Sequence, residues 1–464
     1  MEKLSNKQRV LLVVHDVYQD DNELPLGPAY IASVLRKNDV EVEVYSMDVF
    51  HYTNKQLGEY LDKREYDLIG VGFMAARFKE TIIDLCKTIN KHKKKAWLVL
   101  GGHGPSPIPE YMFKTTNADV VVVGECENII MEVLNDKQEN NNKRVYRAKP
   151  VKHLDEIPFP SWDLFPTKIY ADSYKWKGMN NEDKAMDILS SRGCVNRCAF
   201  CYRMEKGIRV RTIPNIIEEM KLLNNRYNVN YFLFEDELFV LSKKRLEEFY
   251  IAVQNANLDI RYVCNARVTL IDEELLQLMK DSGCIFINYG FESMNQKVLD
   301  GMYKNTTVEQ NENAAKLTKQ FNIPFGLNLI WNNKYDTLET LKQDKEFIIK
   351  HNLYGQLRTI RPVTPYPGCA LYYEAINEGL LTGPDDFFNR FHNSDLITVN
   401  FTDLDEKTMY NALYKTNKEL IYDHYKKTNG NMKEAEEGIE GFRRLYFEGD
   451  YKFRGVRHYD KKDE

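Results

Sequence analysis

The sequence predicts an α/β protein made of two successive strand–helix units and a mostly helical C-terminal region. Three observations predict it. Short continuous apolar runs alternate with helical stretches through residues 1–135, which argues a doubly wound, Rossmann-like sheet. A second alternation of similar spacing, through residues 185–374, argues a partial (β/α)6, TIM-type barrel. Between them residues 136–184 read as a linker, and residues 375–464 are charged, rich in tyrosine and phenylalanine, and read as helices with a disordered last ten or so residues.

In the first unit, residues 10–15 form an apolar run of the kind expected for a strand buried on both faces of a parallel sheet. A helix follows at 26–35, with Pro28 in its first turn, where a missing N–H costs nothing. Further strands are predicted at 40–45, 68–73, 97–100 and 120–123, and helices at 57–61, 82–89 and 127–134. The strand ends carry glycines: Gly70 and Gly72, Gly101, Gly102 and Gly104, and Gly124. In doubly wound sheets ligands lie at those ends, and glycine lets backbone approach a bulky one.

The linker opens with an asparagine-rich stretch, 136–144, read as an exposed loop, and a short strand at 145–148. Residues 154–166 contain Pro158, Pro160 and Pro166, which fix φ and forbid a regular ladder, so the segment is expected to be extended. The second unit predicts strands at 185–190, 231–234, 261–264, 285–291, 324–330 and 356–361. Helices alternate with them at 216–224, 246–253, 275–280 and 314–321. Polar residues gather just after the strands, at the rim where barrel chemistry sits: Glu235-Asp236-Glu237, Asn265 to Arg267, and Glu292-Ser293.

Eight cysteines occur, and only Cys194, Cys198 and Cys201 cluster, at C-x3-C-x2-C spacing after the first strand of the second unit. That is not a disulfide framework, and it fits a reducing cytoplasm. Structural zinc normally takes four protein ligands. Three thiolates on one tight loop suit three corners of an iron–sulfur cube and leave one iron open for a small molecule. Gly193 permits close backbone approach, and Phe200 and Tyr202 can shield such a cluster or flank a purine.

This loop resembles the signature of the radical S-adenosylmethionine (SAM) enzymes, with Phe200 as the aromatic before the third cysteine. The resemblance implies a 4Fe–4S cluster on Cys194, Cys198 and Cys201. Its open iron would chelate SAM, whose reductive cleavage yields a 5′-deoxyadenosyl radical. The segments Leu24 to Ala32, Gly70 to Phe73, Gly101 to Pro105 and Val123 to Glu125 look like the cobalamin-binding domain that precedes many such cores. The expected cobalamin contacts are Leu26, Gly27, Gly72, Ala75, Ala76, Gly101, Gly102, His103, Gly104, Gly124 and Glu125. An Asp-x-His-x-x-Gly stretch is absent, so no histidine ligand to cobalt is expected, His103 included. Residues 74–78 are expected to curl beneath the corrin, with Ala75 and Ala76 letting the backbone approach.

The resemblance extends through Pro158-Phe159-Pro160, Phe234 to Phe239 and Gly290 to Ser293 to Pro365 through Tyr372. It implies SAM contacts from Phe200, Tyr202, Glu235, Asp236, Arg267, Glu292 and Ser293. One carboxylate of 235–237 would take the methionyl ammonium, Arg267 a carboxylate of SAM or substrate, and Glu292 the ribose hydroxyls or the methionyl group. Two departures stand out. Asn332-Asn333 replace a glycine-rich turn, and Cys369, read as a packing residue, replaces a threonine.

The implied activity is methylation of an unactivated carbon or a phosphinate phosphorus, through the 5′-deoxyadenosyl radical and methylcobalamin. Ring closure or rearrangement with the same cofactors is the second enzyme reading. A corrinoid-binding sensor with a degenerate radical SAM scaffold is the third. The expected partners are a small-molecule or peptide substrate and an electron donor such as flavodoxin or ferredoxin. A net charge of −5 gives no basic footprint for nucleic acid. No apolar run approaches the ~18 residues of a membrane span, and the polar start lacks signal-peptide architecture.

Overall fold

A computed structural model describes residues 7–17, 23–139, 144–175 and 179–451. The predicted disordered tail lies almost wholly outside them. Six parallel strands form the first sheet: β1 (Arg9–Val14), β2 (Glu41–Ser46), β3 (Leu68–Gly72), β4 (Trp97–Gly101), β5 (Val120–Val123) and β6 (Val145–Arg147). Their order is β2-β1-β3-β4-β5-β6, so the winding reverses between β1 and β3. That switch point opens a crevice at the carboxyl ends of the strands. The short strand expected at 145–148 pairs with β5 and completes this sheet.

Alternation along the strands sorts their side chains between two layers of helix. Leu11, Val13, Ile69, Val71, Leu98 and Leu100 pack on one face, with helices Asn54–Asp62, Ile83–His92 and Pro109–Thr116. Val10, Leu12, Leu68 and Val99 occupy the other, under helices Leu26–Lys37 and Ile130–Gln138. After β3 the chain makes a 3-10 turn, Ala75–Arg77, then a π-turn, Phe78–Ile82, which the sequence did not announce.

The second unit holds β7 (Lys184–Ile188), an antiparallel ribbon of β8 (Ser191–Cys194) and β9 (Gly207–Val210), then β10 (Val229–Phe234), β11 (Arg261–Ala266), β12 (Cys284–Glu292), β13 (Phe325–Trp331) and β14 (Arg361–Pro362). Apart from the ribbon, the strands form a parallel sheet in the order β14-β13-β12-β11-β10-β7. Their outward residues, such as Phe232, Tyr262, Ile287, Tyr289 and Leu327, join one large core with the surrounding helices. The inward face begins with a small apolar layer of Ala185, Leu233, Val263 and Phe286.

Three expectations need correction. Of the strand predicted at 356–361, only the final residue pairs, as the first residue of β14. Asn417 explains this, because its side chain accepts from Ile360 N–H (2.9 Å) and donates to Ile360 O (3.0 Å), satisfying the backbone in place of a ladder. Within 154–166 two short 3-10 turns, Leu154–Glu156 and Trp162–Leu164, interrupt the extended run. Of the loop expected at 136–144, residues up to Gln138 continue helix Ile130–Gln138, and 140–143 lie outside the described residues.

The C-terminal region straddles both units. Helices Ala370–Asn377 and Pro384–Arg390 pack against the first unit, where Phe388 meets Phe78 at 4.7 Å between ring centres. Helices Glu406–Lys427 and Met432–Phe447 pack against the barrel.

Candidate active site

The cysteine loop, 195–206, is the end of the β8–β9 ribbon. Gly193 in β8 takes a φ of 87°, and a Cβ there would lie 2.5 Å from Gly207 O, so only glycine lets the strands close. Gly193 N–H donates to Glu237 Oε2 at 2.7 Å, tying the ribbon to the rim of β10. Ala199 N–H donates to Met302 O (2.9 Å), and Leu371 N–H to Ala199 O (2.8 Å). The loop is thus pinned from three sides. Cys194, at the end of β8, and Cys198 and Cys201, in the loop, are free thiols, and Cys201 is exposed. Among the described residues no three metal-binding side chains converge as a single ion requires. A cube does not ask for that, because each thiolate binds a different corner.

The rim residues divide sharply. Arg267 reaches the loop: its Nη1 lies 4.0 Å from Cys198 Sγ, while Nη2 donates to Lys304 O and to Asn305 O (3.2 Å). Glu292 ends β12 with a φ of 67° and is ion-paired with buried Lys304 at 2.6 Å. Lys304 in turn lies 6.0 Å from the Phe200 ring. Glu235 and Glu237 face a common cavity. Burial first, then Glu23 and Asp236, raise the Glu235 carboxyl to about 7. Asp236 and Ser293 do not face it. Asp236 is fully buried and accepts from Ser190 N–H (3.0 Å), Ser190 Oγ (2.8 Å) and Ser191 Oγ, so it braces the start of the ribbon. Ser293 is buried, and its Oγ accepts from Asn295 N–H (3.2 Å) in the turn before the next helix. Both side chains are thus engaged in contacts within the protein.

A cavity of about 520 Å³ joins the strand ends of the two units. Its first-unit wall is one face of the sheet: Val10, Leu12, Leu68, Gly70, Gly72, Val99 and Gly101. Gly70 sits beside Leu12, and Gly72 beside Gly101, on adjacent strands. Missing side chains at these positions open a slot between the sheet and helices Leu26–Lys37 and Ile130–Gln138. Gly27, Pro28, Met74, Gly102, His103, Gly124 and Glu125 also line it. Opposite stand Arg192, Gly193, Met204, Glu205 and Arg209 from the ribbon, with Glu235 and Glu237. His103 stands edge-on to Tyr202, 6.0 Å between ring centres.

Four expected cobalamin contacts are placed elsewhere. Ala75 and Ala76 pack with Phe73 and Phe78 in the cluster on the opposite face of the sheet, because the 3-10 turn rotates them away. Met74 is the residue of that loop that lines the cavity. Leu26 packs beside the connector, and Gly104 lies against Phe73, whose ring a Cβ would meet at 2.7 Å. Phe200 and Tyr202 pack in the loop's support and do not line the cavity. The Asn332 turn is committed too: its side chain donates to Val399 O (2.7 Å) and accepts from Phe401 N–H (3.1 Å).

Glu125 has a role that its strand-end position did not reveal. It is buried and accepts from Arg209 Nη1 (2.7 Å) and Nη2 (2.6 Å) and from Val151 N–H (2.7 Å). Arg192 lies 3.5 Å from it and donates to Glu127 at 2.7 Å. Two arginines of the cysteine ribbon therefore pair with two glutamates at the end of β5. The arginines pull the Glu125 carboxyl below its ordinary range against the effect of burial. The sequence signal was weak: alternate arginines at 209 and 211, with no hint of their partners.

The comparisons with known proteins fit this geometry. The B12 binding domain is matched over residues 14–134 and the radical SAM superfamily over residues 188–348. An uncharacterized methyltransferase of Pyrococcus horikoshii is 28% identical over 379 residues, 77% of this chain and 79% of that one. The anaerobic magnesium-protoporphyrin IX monomethyl ester cyclase of Rubrivivax gelatinosus is 25% identical over 380 residues, 75% of this chain and 66% of that one. The structure of the radical SAM methyltransferase TsrM from Kitasatospora setae, with cobalamin and a 4Fe–4S cluster, has a TM-score of 0.63 at 19% identity, covering 82% of this chain and 76% of that one. That of the cobalamin-dependent radical SAM enzyme OxsB has a TM-score of 0.64 at 20% identity, covering 81% and 56%.

The chain is a radical SAM enzyme carrying a B12 binding domain. It belongs to the cobalamin-dependent radical SAM family, whose cofactors are a 4Fe–4S cluster, SAM and cobalamin. The residues present fit these groups. The slot floored by Gly70, Gly72 and Gly101 is a cradle that side chains would fill, and three free thiols share one pinned loop. Among the described residues no helix is long and apolar enough to cross a membrane.

Proposed function

We propose that the enzyme is a methyltransferase acting on an unactivated carbon or a phosphinate phosphorus of a small molecule. The observation that carries this is the cavity itself, with the glycine-floored sheet on one side and the cysteine ribbon on the other. When bound, the cluster with SAM supplies a hydrogen-abstracting radical, and cobalamin supplies the methyl group. Cys194, Cys198 and Cys201 would hold three irons. Arg267, beside Cys198, offers its fork to the carboxylate of SAM, and Glu235 or Glu237 accepts from the ammonium. Glu292, held by Lys304, would take a ribose hydroxyl or the methionyl group. Gly72, Gly101, Gly102 and Gly124 would give the corrin room, Met74 would cover it, and His103 would stand by without ligating cobalt. The exposed end of the loop, at Val195 and Cys201, is where an electron donor such as flavodoxin or ferredoxin would approach, in a reducing cytoplasm.

The similarity to a cyclase keeps a second reading in view, ring closure with the same cofactors. One experiment separates them. Anaerobically reconstituted enzyme with its substrate should form S-adenosylhomocysteine together with 5′-deoxyadenosine. Formation of 5′-deoxyadenosine alone would favour ring closure, and formation of neither would sink both readings.

A further inference from the structure

The concave face of the barrel carries a polar ladder that none of the cofactor contacts above uses. Asn265, Asn288 and Asn328 stand on the adjacent strands β11, β12 and β13. Asn328 Nδ2 donates to Asn288 Oδ1 (2.8 Å), Asn288 Nδ2 to Asn265 Oδ1 (3.0 Å), and Asn265 Nδ2 to Asp236 O (2.9 Å). Every donor points the same way along the sheet. At the head of the row stands Arg358, whose Nη1 donates to Asn328 Oδ1 at 2.9 Å. Its Nη2 donates to the side chain of exposed Gln356, and its guanidinium lies 5.6 Å from the centre of the Phe286 ring. Room for it comes from Gly326, where a Cβ would lie 2.5 Å from Nη2.

Among the described residues this guanidinium has no counter-ion. Arg192, Arg209 and Arg211, which are similarly shielded, each pair with a glutamate. Arg358 has only amide acceptors, and its Nε is buried with no partner among the described residues. The neighbouring cation Arg361 is already held by Asp395 at 2.9 Å. Burial, then Arg361, draws Arg358 down only to about 10, so it stays charged at neutral pH. A shielded charge and an orphan donor are costly to keep, and an incoming anion would satisfy both. The acidic side chains of the same face, Asp187 and Glu235, lie at the other edge on and after β7 and β10. The chamber is thus asymmetric: one edge holds two carboxyls that burial disposes to keep their protons, and the β13–β14 edge holds the uncompensated cation.

We propose that Arg358 anchors an oxyanion of the substrate, a carboxylate or a phosphonate, inside the barrel. This rests on the reading of the barrel as the reaction chamber, and it narrows the substrate to an anionic small molecule seated at the β13–β14 edge. Guanidinium forks suit both groups, and neutral hydrogen-bonding ligands leave the charge unanswered.

The test uses full-length reconstituted enzyme with acetate and methylphosphonate as probes, titrated at constant ionic strength against chloride. Wild type should bind at least one probe saturably. Arg358→Gln should weaken that binding roughly 10- to 100-fold, as loss of a charged hydrogen bond does, and Arg358→Lys should keep part of it. SAM affinity and 5′-deoxyadenosine formation without substrate should stay within about twofold of wild type in both. Gln356→Glu, which supplies an internal carboxylate without emptying the site, should also abolish probe binding; it guards against a folding defect in the first variants. Equal probe affinity in wild type and Arg358→Gln would overturn the proposal. So would probes that compete with SAM, together with a tenfold loss of SAM affinity in Arg358→Gln, since Arg358 would then hold the cofactor's carboxylate. The methyltransferase reading fails separately, through absence of SAM cleavage in wild type, and leaves probe binding measurable.

Discussion

Two six-stranded parallel sheets face each other across one cavity, and they prepare it by opposite means. The first sheet works by omission. Gly70, Gly72 and Gly101 leave its cavity face bare, flanked by Val10, Leu12 and Val99. The second works by supply. Its concave face carries Asn265, Asn288 and Asn328, and its rim carries Glu235, Glu237, Arg267 and Glu292. One surface is shaped for a large rigid body, the other for small charged groups. Similar strand–helix arithmetic yields both, so the difference lies in which residues occupy the inward register.

The largest expected effect is at the ribbon between the sheets. Cys194→Ala, Cys198→Ala or Cys201→Ala should each remove cluster iron and bring 5′-deoxyadenosine formation to background, because three ligands leave none to spare. Full iron content in any one of them would show that the cysteine is not a ligand. The second prediction fills the bare sheet. A Cβ at Gly101 meets no atom within 4 Å, so Gly101→Leu should fold and cleave SAM yet bind cobalamin roughly 10- to 100-fold more weakly, the cost of overfilling a fitted space. Unchanged cobalamin retention would mean the slot is not its cradle.

The third prediction cuts the tie between the regions. Glu125→Ala leaves Arg209 without its carboxylate and Arg192 with Glu127 alone. The expected loss is about 2–3 kcal/mol in a denaturant titration, below the ~3–5 of a fully buried pair because both arginines keep some contact with solvent. Methyl transfer should fall more than SAM cleavage, and equal losses would argue against a role in alignment. The last prediction is confined to one segment of the pH profile and concerns Glu235. Its folded carboxyl titrates near 7 against an ordinary 4.5, so the folded apo-protein binds this proton more tightly than the unfolded chain. Its contribution to stability is therefore greatest below pH 4.5, declines as pH rises to about 7, and is level above. Glu235→Gln should flatten that segment of the stability profile, and an unaltered slope would assign it to other groups.

Much of this was legible in the sequence, for definite reasons. Parallel strands buried on both faces read as apolar runs, so β1, β3, β4 and β5 stand out within a residue or two. The cysteine spacing carried the cofactor chemistry. What stayed hidden depends on direction or distance. Whether Ala75 or Met74 faces the cavity is decided by one 3-10 turn. The pairing of Glu125 with Arg209 spans 84 positions and leaves no local mark. Asp236 and Glu237 are neighbours in sequence, yet one braces Ser190 and the other meets the cavity. The asparagine row had a faint signal, a lone amide in each of three successive apolar strands, which only strand register turns into a surface.

The divided allegiance of the C-terminal region bears on how the enzyme is made. Its earlier helices grip the first unit through Phe387, Phe388 and Phe391, and its later ones grip the barrel. Translation delivers the amino-terminal unit first and this clasp last. While the clasp is unmade, the two halves are held by the connector and by the pairs of Arg209 with Glu125 and Arg192 with Glu127. Afterwards, parting them means exposing several aromatic side chains, each at roughly 1.5–3 kcal/mol. Cobalamin given during expression should load more completely than the same amount given to purified apo-enzyme, and equal loading would mean the clasp does not hinder entry.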